Sequence, residues 1–563
     1  MRRFFELLPG LLSLGTLILI VVLSAIIPEE VAIFIILFDT YWLLKTIYLS
    51  LHLRITFKKM RENLKIDWLQ KLTNDKQLIT NNGRKSSVAR LADSPRYRES
   101  EAGVLASLAE SRRAKRVSRW SEIYHLVILP MYNEPYEIVR ESFEALIKLN
   151  YPKEKFIVAL AIEERALMSG SRQSSGQILR QDSGQIGVEQ TAQKIKQEFG
   201  DKFLKFLTTV HPDNLPNEIP GKGSNQAWAA KKIKKLVIDP LKIPYENILV
   251  SVFDVDTQVF PEYFGILTYN FLTCEHPERS SFQPIPLFTN NIFQAPALAR
   301  IIAFSSTFWH MIQQARPRRL TTFSSHSMPF KALNEIGFWQ TDVVSEDSRI
   351  FWQCYLYYNG DWRVVPINYP ISMDANVAPT FWQTMINLYK QQRRWGWGCE
   401  NIPYLLEGFK KNSANNKFVS GGKKIPFSKK LYWAFNYIEG FHSWATNALI
   451  IFSLGWLPIF LGGIAFKTTL LSYNLPKITR IIMDFSMIGI VSSALMSIVL
   501  LPPKPEQFKK WHYVLYFIQW ILMPITFIIF GAVPALDSQT RLMLGGKFRL
   551  GYWVTPKHRE PSH

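Results

Sequence analysis

At 563 residues the chain is too long for one ordinary soluble domain and long enough for a catalytic domain with membrane segments. Its composition is also wrong for a soluble protein: 47% of residues are apolar, 17 are Trp and 38 are Phe, yet the net charge is +21. Three scattered cysteines, Cys274, Cys354 and Cys399, lack metal-ligand spacing and suit a reducing compartment.

In chain order, the first element is Leu7 to Ile27, uncharged over a length that crosses about 30 Å of hydrocarbon. Val31 to His52 follows as a weaker span, interrupted by Asp39 and Lys45. The basic start Arg2-Arg3 fits a signal peptide, but the apolar run exceeds a typical h-region, no small-x-small site follows cleanly, and a second apolar block comes next. An uncleaved anchor is therefore expected. Arg54, Lys58, Lys59 and Arg61 follow the second block, and Lys410, Lys411, Lys417, Lys423, Lys424, Lys429 and Lys430 precede the third. The positive-inside rule puts the domain between them in the cytoplasm, against anionic lipid. These residues are not interleaved with an aromatic reading motif, so no nucleic-acid partner is expected.

Residues 73–118 are polar and Arg/Ser-rich, and 169–190 are rich in Ser, Gly and Gln; both read as linkers or mobile inserts. Around the second insert, apolar runs predict strands at His125–Leu129, Phe156–Ile162, Phe203–Val210 and Ile248–Phe253. Helical spacing predicts helices after Pro135, over Val188–Phe199 and over Ser224–Leu236. This alternation implies a mostly parallel sheet, which binds ligands at the carboxyl ends of its strands. Three further apolar blocks, Trp444–Phe466, Ile481–Leu501 and His512–Ala535, read as spans.

The motifs fall at such strand ends. Asp254-Val255-Asp256 closes the fourth strand. Two carboxylates there suit a ribose and a hard cation, Mg²⁺ or Mn²⁺, that bridges a diphosphate. Gly221-Lys222-Gly223-Ser224-Asn225 precedes a helix and offers backbone N–H groups and a point charge to an anion, or merely a capped helix start. Ser345-Glu346-Asp347 starts another helix, as a dipole complement or as a fixed general base for an acceptor hydroxyl. Gln391-x-x-Arg394-Trp395 combines an amide, a guanidinium for phosphate and a ring for a sugar face; a membrane-surface helix uses the same residues.

As an ordered set, with Pro130-Met131-Tyr132-Asn133-Glu134 ahead of them, these pieces resemble glycosyltransferase family 2. The resemblance is to its membrane-bound branch, which includes cellulose synthase and hyaluronan synthase. Tyr552-Trp553-Val554-Thr555-Pro556-Lys557 looks like the F-x-V-T-x-K gating loop of bacterial cellulose synthase, with Tyr for Phe. The resemblance implies an α/β domain of GT-A type, a Rossmann-like nucleotide-sugar-binding fold, inserted between N- and C-terminal transmembrane helices. It implies Asp347 as the base, giving inversion. Donor contacts would come from Tyr132, Glu134, Glu163, Lys222, Asp254, Gln391, Arg394, Thr555 and Lys557. Glu346 and Trp395 would meet the acceptor, and Asp254 and Asp256 the metal. Where the family places an Asp pair to read the base, this chain has Glu163-Glu164, and either can take the role at a longer reach.

The expected division is two spans in 1–53, a basic linker in 54–119 and the catalytic domain in 120–410 with a mobile insert at about 168–190. Interfacial and spanning helices follow in 411–540, then a basic cytoplasmic tail in 541–563. The expected activity is transfer from a nucleotide-diphosphate sugar, a UDP-sugar, to a growing β-linked polysaccharide at the cytoplasmic face of the plasma membrane, with export of the product. The alternatives are a single transfer to a polyprenyl-phosphate or glycolipid acceptor, or a non-catalytic scaffold or transporter. No motif names an accessory subunit. Two spans before the domain and three after would put the tail outside, against its basic residues and its gating-like segment.

Overall fold

The computed structural model describes residues 2–80, 117–173, 187–414, 424–506 and 508–559. Most of the two predicted inserts lies outside the described residues.

Four parallel strands form one half of a single sheet: β1 (Tyr124–Met131), β2 (Phe156–Glu163), β3 (Lys205–His211) and β4 (Ile248–Val252). β1 lies between β2 and β4, with Leu126 opposite Ile157 on one side and Val250 on the other. Every residue of β2 and β4 is buried, as strands covered on both faces require. The rest of the sheet was not anticipated. It comprises β5 (Gln258–Val259), β6 (Ser280–Phe288), β7 (Ser327–Pro329) and β8 (Arg363–Met373), in the order β3-β2-β1-β4-β7-β6-β8-β5. β7 is antiparallel to β4 and β6, and β5 to β8, so only these two strands run against the rest. The sheet is mixed but mostly parallel.

Helices cover both faces. α1 (Arg2–Ile26) and α2 (Pro28–Asn63) precede the sheet, and α3 (Tyr136–Ile147) follows β1. In α3, Ile138, Val139, Phe143 and Leu146 recur at helical spacing and are all buried, Phe143 against Phe199 and Phe206. α4 (Lys222–Ile233) packs Ala227, Ala230 and Ile233 on the opposite face. The second half supplies α5 (Ala297–Gln314), α6 (Glu346–Tyr357) and α7 (Phe381–Gly396). Phe304 and Phe308 of α5, Met385 of α7, and Trp520 and Phe530 of the C-terminal apolar region share one core. This core joins the sheet domain to the apolar helices.

Four segments are long and apolar enough to cross a membrane: Arg2–Ile26, Pro28–Asn63, Leu470–Val499 and Lys510–Leu544. A fifth, α8 (Phe427–Phe452), counts only together with Leu454–Leu461, from which it is bent by 50°. Trp444–Phe466 is therefore no single span. The helix begins earlier and breaks at Ser453, where Gly455, Pro458 and Gly462 disfavour continuation. α9 (Leu470–Val499) contains the predicted Ile481–Leu501 block almost entire.

Lys510–Leu544 is segmented by 3₁₀ and π turns and ends in α10 (Val533–Leu544). It lies along the sheet domain. Arg300 Nε donates to Gln519 Oε1 at 2.7 Å, Trp520 stacks on Phe308 with centroids 5.9 Å apart, and Ser538 Oγ donates to Arg393 O at 2.6 Å.

Candidate active site

The carboxyl ends of β1, β2 and β3 meet at one corner. After β1, the Tyr132 N–H donates to Glu134 Oε2 at 2.7 Å, closing a tight loop. Removal from water pushes the Glu134 carboxyl up to about 6 against that hydrogen bond. Glu163, the last residue of β2, is 3% exposed and its Oε2 lies 2.5 Å from Arg165 Nε. The Arg165 guanidinium in turn sits 4.7 Å from the centre of the Tyr132 ring. Glu163 and Arg165 line a small cavity with His211, Asp213, Glu218 and Pro220. Glu164 does not; its carboxylate accepts from the Asp213 N–H at 2.9 Å and holds the loop after β3. The two candidate glutamates thus differ in what they face: Glu163 faces the cavity, and Glu164 is committed to a turn.

At the centre stands Lys222. Gly221 before it has φ +152°, and a Cβ there would lie 2.5 Å from the Tyr552 ring, so only glycine lets that ring close over the helix start. Lys222 is 7% exposed. Its Nζ lies 2.7 Å from Asp254 Oδ1, 3.1 Å from both Asp347 oxygens and 3.3 Å from Ser324 Oγ. Burial alone would lower the Lys222 pKa, but Asp254, Asp347 and Glu346 hold it well above its ordinary value. Desolvation likewise pushes Asp254 up, and Lys222 and Lys557 more than reverse it, keeping this carboxylate well below the usual range. Glu346, 2% exposed, is pushed up to about 8 by burial and then by the neighbouring charge of Asp347. Both causes favour its protonated form. Asn225 of the same motif is a structural tie, donating to Ala161 O at 2.8 Å.

Asp256 meets the C-terminal tail. It is fully buried; its Oδ2 accepts from Lys557 Nζ at 2.6 Å and from the Asp374 N–H at 2.9 Å. Its Oδ1 has no hydrogen-bond partner among the described residues. Asp374, at the end of β8, is pushed up to about 6 by burial and then by Asp256, and it pairs with Arg559. Asn290 Nδ2 bridges the two, donating to Asp256 O at 2.9 Å and to Asp374 Oδ1 at 3.2 Å. Thr555 is buried nearby with its hydroxyl unpartnered among the described residues. The segment from Tyr552 to Arg559 therefore runs through the same site as the carboxylates.

α7 brings in the last motif. Gln391 is buried and its Oε1 lies 3.4 Å from Asn376 Nδ2. The Arg394 guanidinium lies 5.2 Å from the Tyr552 ring centre. Burial lowers its pKa, but Tyr552, Glu346, Asp254 and Asp347 outweigh that. Trp395 is half-buried, with its ring centroid 6.0 Å from that of Phe288. Arg393, the neighbouring guanidinium, instead pairs with Asp537 at 3.1 Å.

Lys222, Asp254, Glu346, Asp347, Arg394 and Tyr552 thus form one cluster, with Asp256, Thr555 and Lys557 beside it. Tyr132, Glu134 and Glu163 border it at the β1–β2 corner. Ser324, Asp374, Asn290 and Arg559 carry no motif and are additions from the structure. Among the described residues, no group of three or more His, Cys, Asp or Glu side chains could hold a metal ion by itself. Two carboxylates are nonetheless a fitting set for Mg²⁺ or Mn²⁺ shared with substrate phosphates, and the unpartnered Asp256 Oδ1 is available for it.

A family profile described as glycosyl transferase family group 2 matches residues 249–536, just over half of the chain. No curated protein matches. Among solved structures, a mannosyltransferase from Pyrobaculum calidifontis, determined with GDP-Man and Mn²⁺, is 12% identical over 75% of this chain and 97% of its own, with a TM-score of 0.33. S. aureus TarS 1–349, determined with UDP-GlcNAc, is also 12% identical, over 75% of this chain and 91% of its own, with a TM-score of 0.33.

Proposed function

The chain belongs to glycosyltransferase family group 2, and from that premise we propose that it extends a β-linked polysaccharide at the cytoplasmic face of a membrane, using a nucleotide-diphosphate sugar and inverting the anomeric centre. The observation that carries this reading is the bridge Asp254–Lys222–Asp347, which puts a donor-side carboxylate and a base candidate on either side of one cation.

In this reading Asp347 takes the proton from the acceptor hydroxyl. The freed oxygen attacks the anomeric carbon as the bond to the nucleotide diphosphate breaks, inverting that carbon. Lys222 and Arg394 meet the charge left on the diphosphate. Glu346, whose protonated form burial and Asp347 favour, donates a hydrogen bond to the acceptor without adding a second negative charge beside Asp347. Glu163 and Tyr132 hold the nucleoside, and Trp395 offers a ring face to the sugar already added. A divalent cation held by Asp254 and Asp256 would neutralise the diphosphate. Tyr552, Thr555 and Lys557 cover the donor, with Lys557 on Asp256 Oδ2.

The packing also supports a topology. Both ends of the Lys510–Leu544 region return to the catalytic domain: Phe508 packs on Phe293 at 4.9 Å, and Leu542 shares a core with Trp397. We read this region as lying at the membrane face, with α1, α2, the bent pair of α8 and Leu454–Leu461, and α9 crossing. Four crossings put the tail on the same side as the catalytic domain, which removes the mismatch in the span count.

The reading is tested with labelled UDP-sugars and the full-length protein in liposomes. It expects high-molecular-weight product that a specific endoglycosidase degrades. Only short, organic-extractable product would move the acceptor to a lipid.

A further inference from the structure

A second site lies away from the catalytic cluster, where α2 meets the loop after α5. Tyr41, Leu44, Lys45, Tyr48 and Leu49 form one wall of a groove, and Arg316 and Arg319 the other. Tyr41, Leu44 and Tyr48, spaced along one helix face, are 53%, 62% and 50% exposed. The cations are underpaired. Lys45 Nζ lies 2.7 Å from Glu439 Oε1, and the second oxygen of that carboxylate is 3.6 Å from Arg319. Arg316 is half-buried, and its guanidinium has no hydrogen-bond or ion-pair partner among the described residues. Three cations thus share one carboxylate, and burial and the like charge of Arg319 both disfavour the charged form of Arg316.

The depth of the groove says what could supply the missing anion. Counted from Pro28 at about 1.5 Å per residue, α2 has covered about 30 Å, one hydrocarbon thickness, by Tyr48. Beyond that it enters the catalytic domain, where Asn63 Nδ2 donates to Asn368 O at 3.0 Å. Trp309, in the last turns of α5, is 43% exposed beside the same loop, as an interfacial aromatic would be. The groove therefore sits at headgroup level, with the apolar outer face of α2 leading up from it.

We propose that this groove binds the headgroup of an anionic membrane phospholipid, its phosphate among Arg316, Arg319 and Lys45 and its acyl chains along Tyr41 and Leu44. Two guanidinium groups suit a phosphodiester, and Glu439 holds Lys45 and Arg319 in position for it. A zwitterionic headgroup would bring an ammonium into a net positive site. The proposal rests on the reading of α2 as a membrane span but not on glycosyl transfer, and its test reads lipid binding alone.

The full-length protein in detergent is titrated with short-chain phosphatidylglycerol, and bound lipid is counted by native mass spectrometry. Phosphatidylcholine, inorganic phosphate and a polyprenyl phosphate are run in parallel. We expect phosphatidylglycerol to be retained over phosphatidylcholine, and Arg316→Gln to weaken it about fivefold. Arg316→Gln with Arg319→Gln should abolish the preference. Since Arg316 has no partner to lose, the single variant should melt like the parent when lipid is absent, which keeps the test valid if the double variant misfolds. Equal retention of both phospholipids, or unchanged binding by Arg316→Gln, overturns the proposal. So does tighter binding of the polyprenyl phosphate, which would make the groove an acceptor site, or full competition by inorganic phosphate.

Discussion

Replacing Lys557 with Met tests how the tail and the second acidic residue of the motif depend on each other. Lys557 Nζ lies 2.6 Å from Asp256 Oδ2, on a carboxylate with 0% exposure. Removing one partner of a buried pair typically costs about 3–5 kcal/mol, because the remaining charge is uncompensated. At about 2–4 °C per kcal/mol for a domain of this class, the melting temperature should fall by roughly 6–20 °C without divalent cation. A cation at Asp256 would restore the missing charge. At about 100 times its dissociation constant it returns about 2.7 kcal/mol, so Mn²⁺ should recover a large part of the loss. The parent should gain less, because Lys557 already compensates the Asp256 charge. The assay is thermal unfolding of detergent-purified parent and variant by tryptophan fluorescence, with EDTA and with Mn²⁺ or Mg²⁺. Equal Mn²⁺ shifts in the two proteins, or a loss that no cation recovers, would refute the reasoning.

Other consequences follow from the same geometry. Glu163→Gln should raise the Michaelis constant for the donor several-fold with little change in kcat, whereas Glu164→Ala should cost about 1 kcal/mol of stability by orphaning the Asp213 N–H and leave donor affinity alone. Donor titrations and melting curves of the two variants separate these effects. Gly221→Ala places a side chain at φ +152° and 2.5 Å from the Tyr552 ring, so it should cost about 1–3 kcal/mol and expel the tail, seen as faster proteolysis after residue 545. Glu346 holds its proton up to about 8 in the folded chain but releases it near 4.5 when unfolded, so its contribution to stability falls as pH rises between those values. Glu346→Gln should flatten the pH dependence of melting in that window, and a slope unchanged by the substitution would contradict the assignment.

Much of the first half of the sheet is legible in the sequence because β1, β2 and β4 are mostly buried on both faces and read as unbroken apolar runs. Phe156–Ile162 is β2 within a residue, and the Val188–Phe199 helix has the predicted limits. The second half was not legible. β6 and β8 carry prolines at Pro284, Pro286, Pro366 and Pro370, and β7 has only three residues, held in place by β4 and β6. Asp374 illustrates the consequence: no motif surrounds it, and only β8 brings it to Asp256, 118 residues earlier, whose Oδ2 its N–H contacts. The long apolar helices show a different limit. Hydropathy marks Lys510–Leu544 as long enough to cross, but composition does not reveal that Gln519, Trp520 and Ser538 are bonded to or stacked on the catalytic domain and on α9.

The most direct test of the central claim is nucleotide-sugar turnover by the purified full-length protein, scanned across UDP- and GDP-sugars with Mg²⁺ and Mn²⁺, beside Asp347→Asn. The account predicts transfer from at least one donor with inverted anomeric configuration, and a fall in kcat of about 10²–10⁴-fold in the variant with donor binding retained. Turnover unchanged by Asp347→Asn, or product with retained configuration, would contradict it.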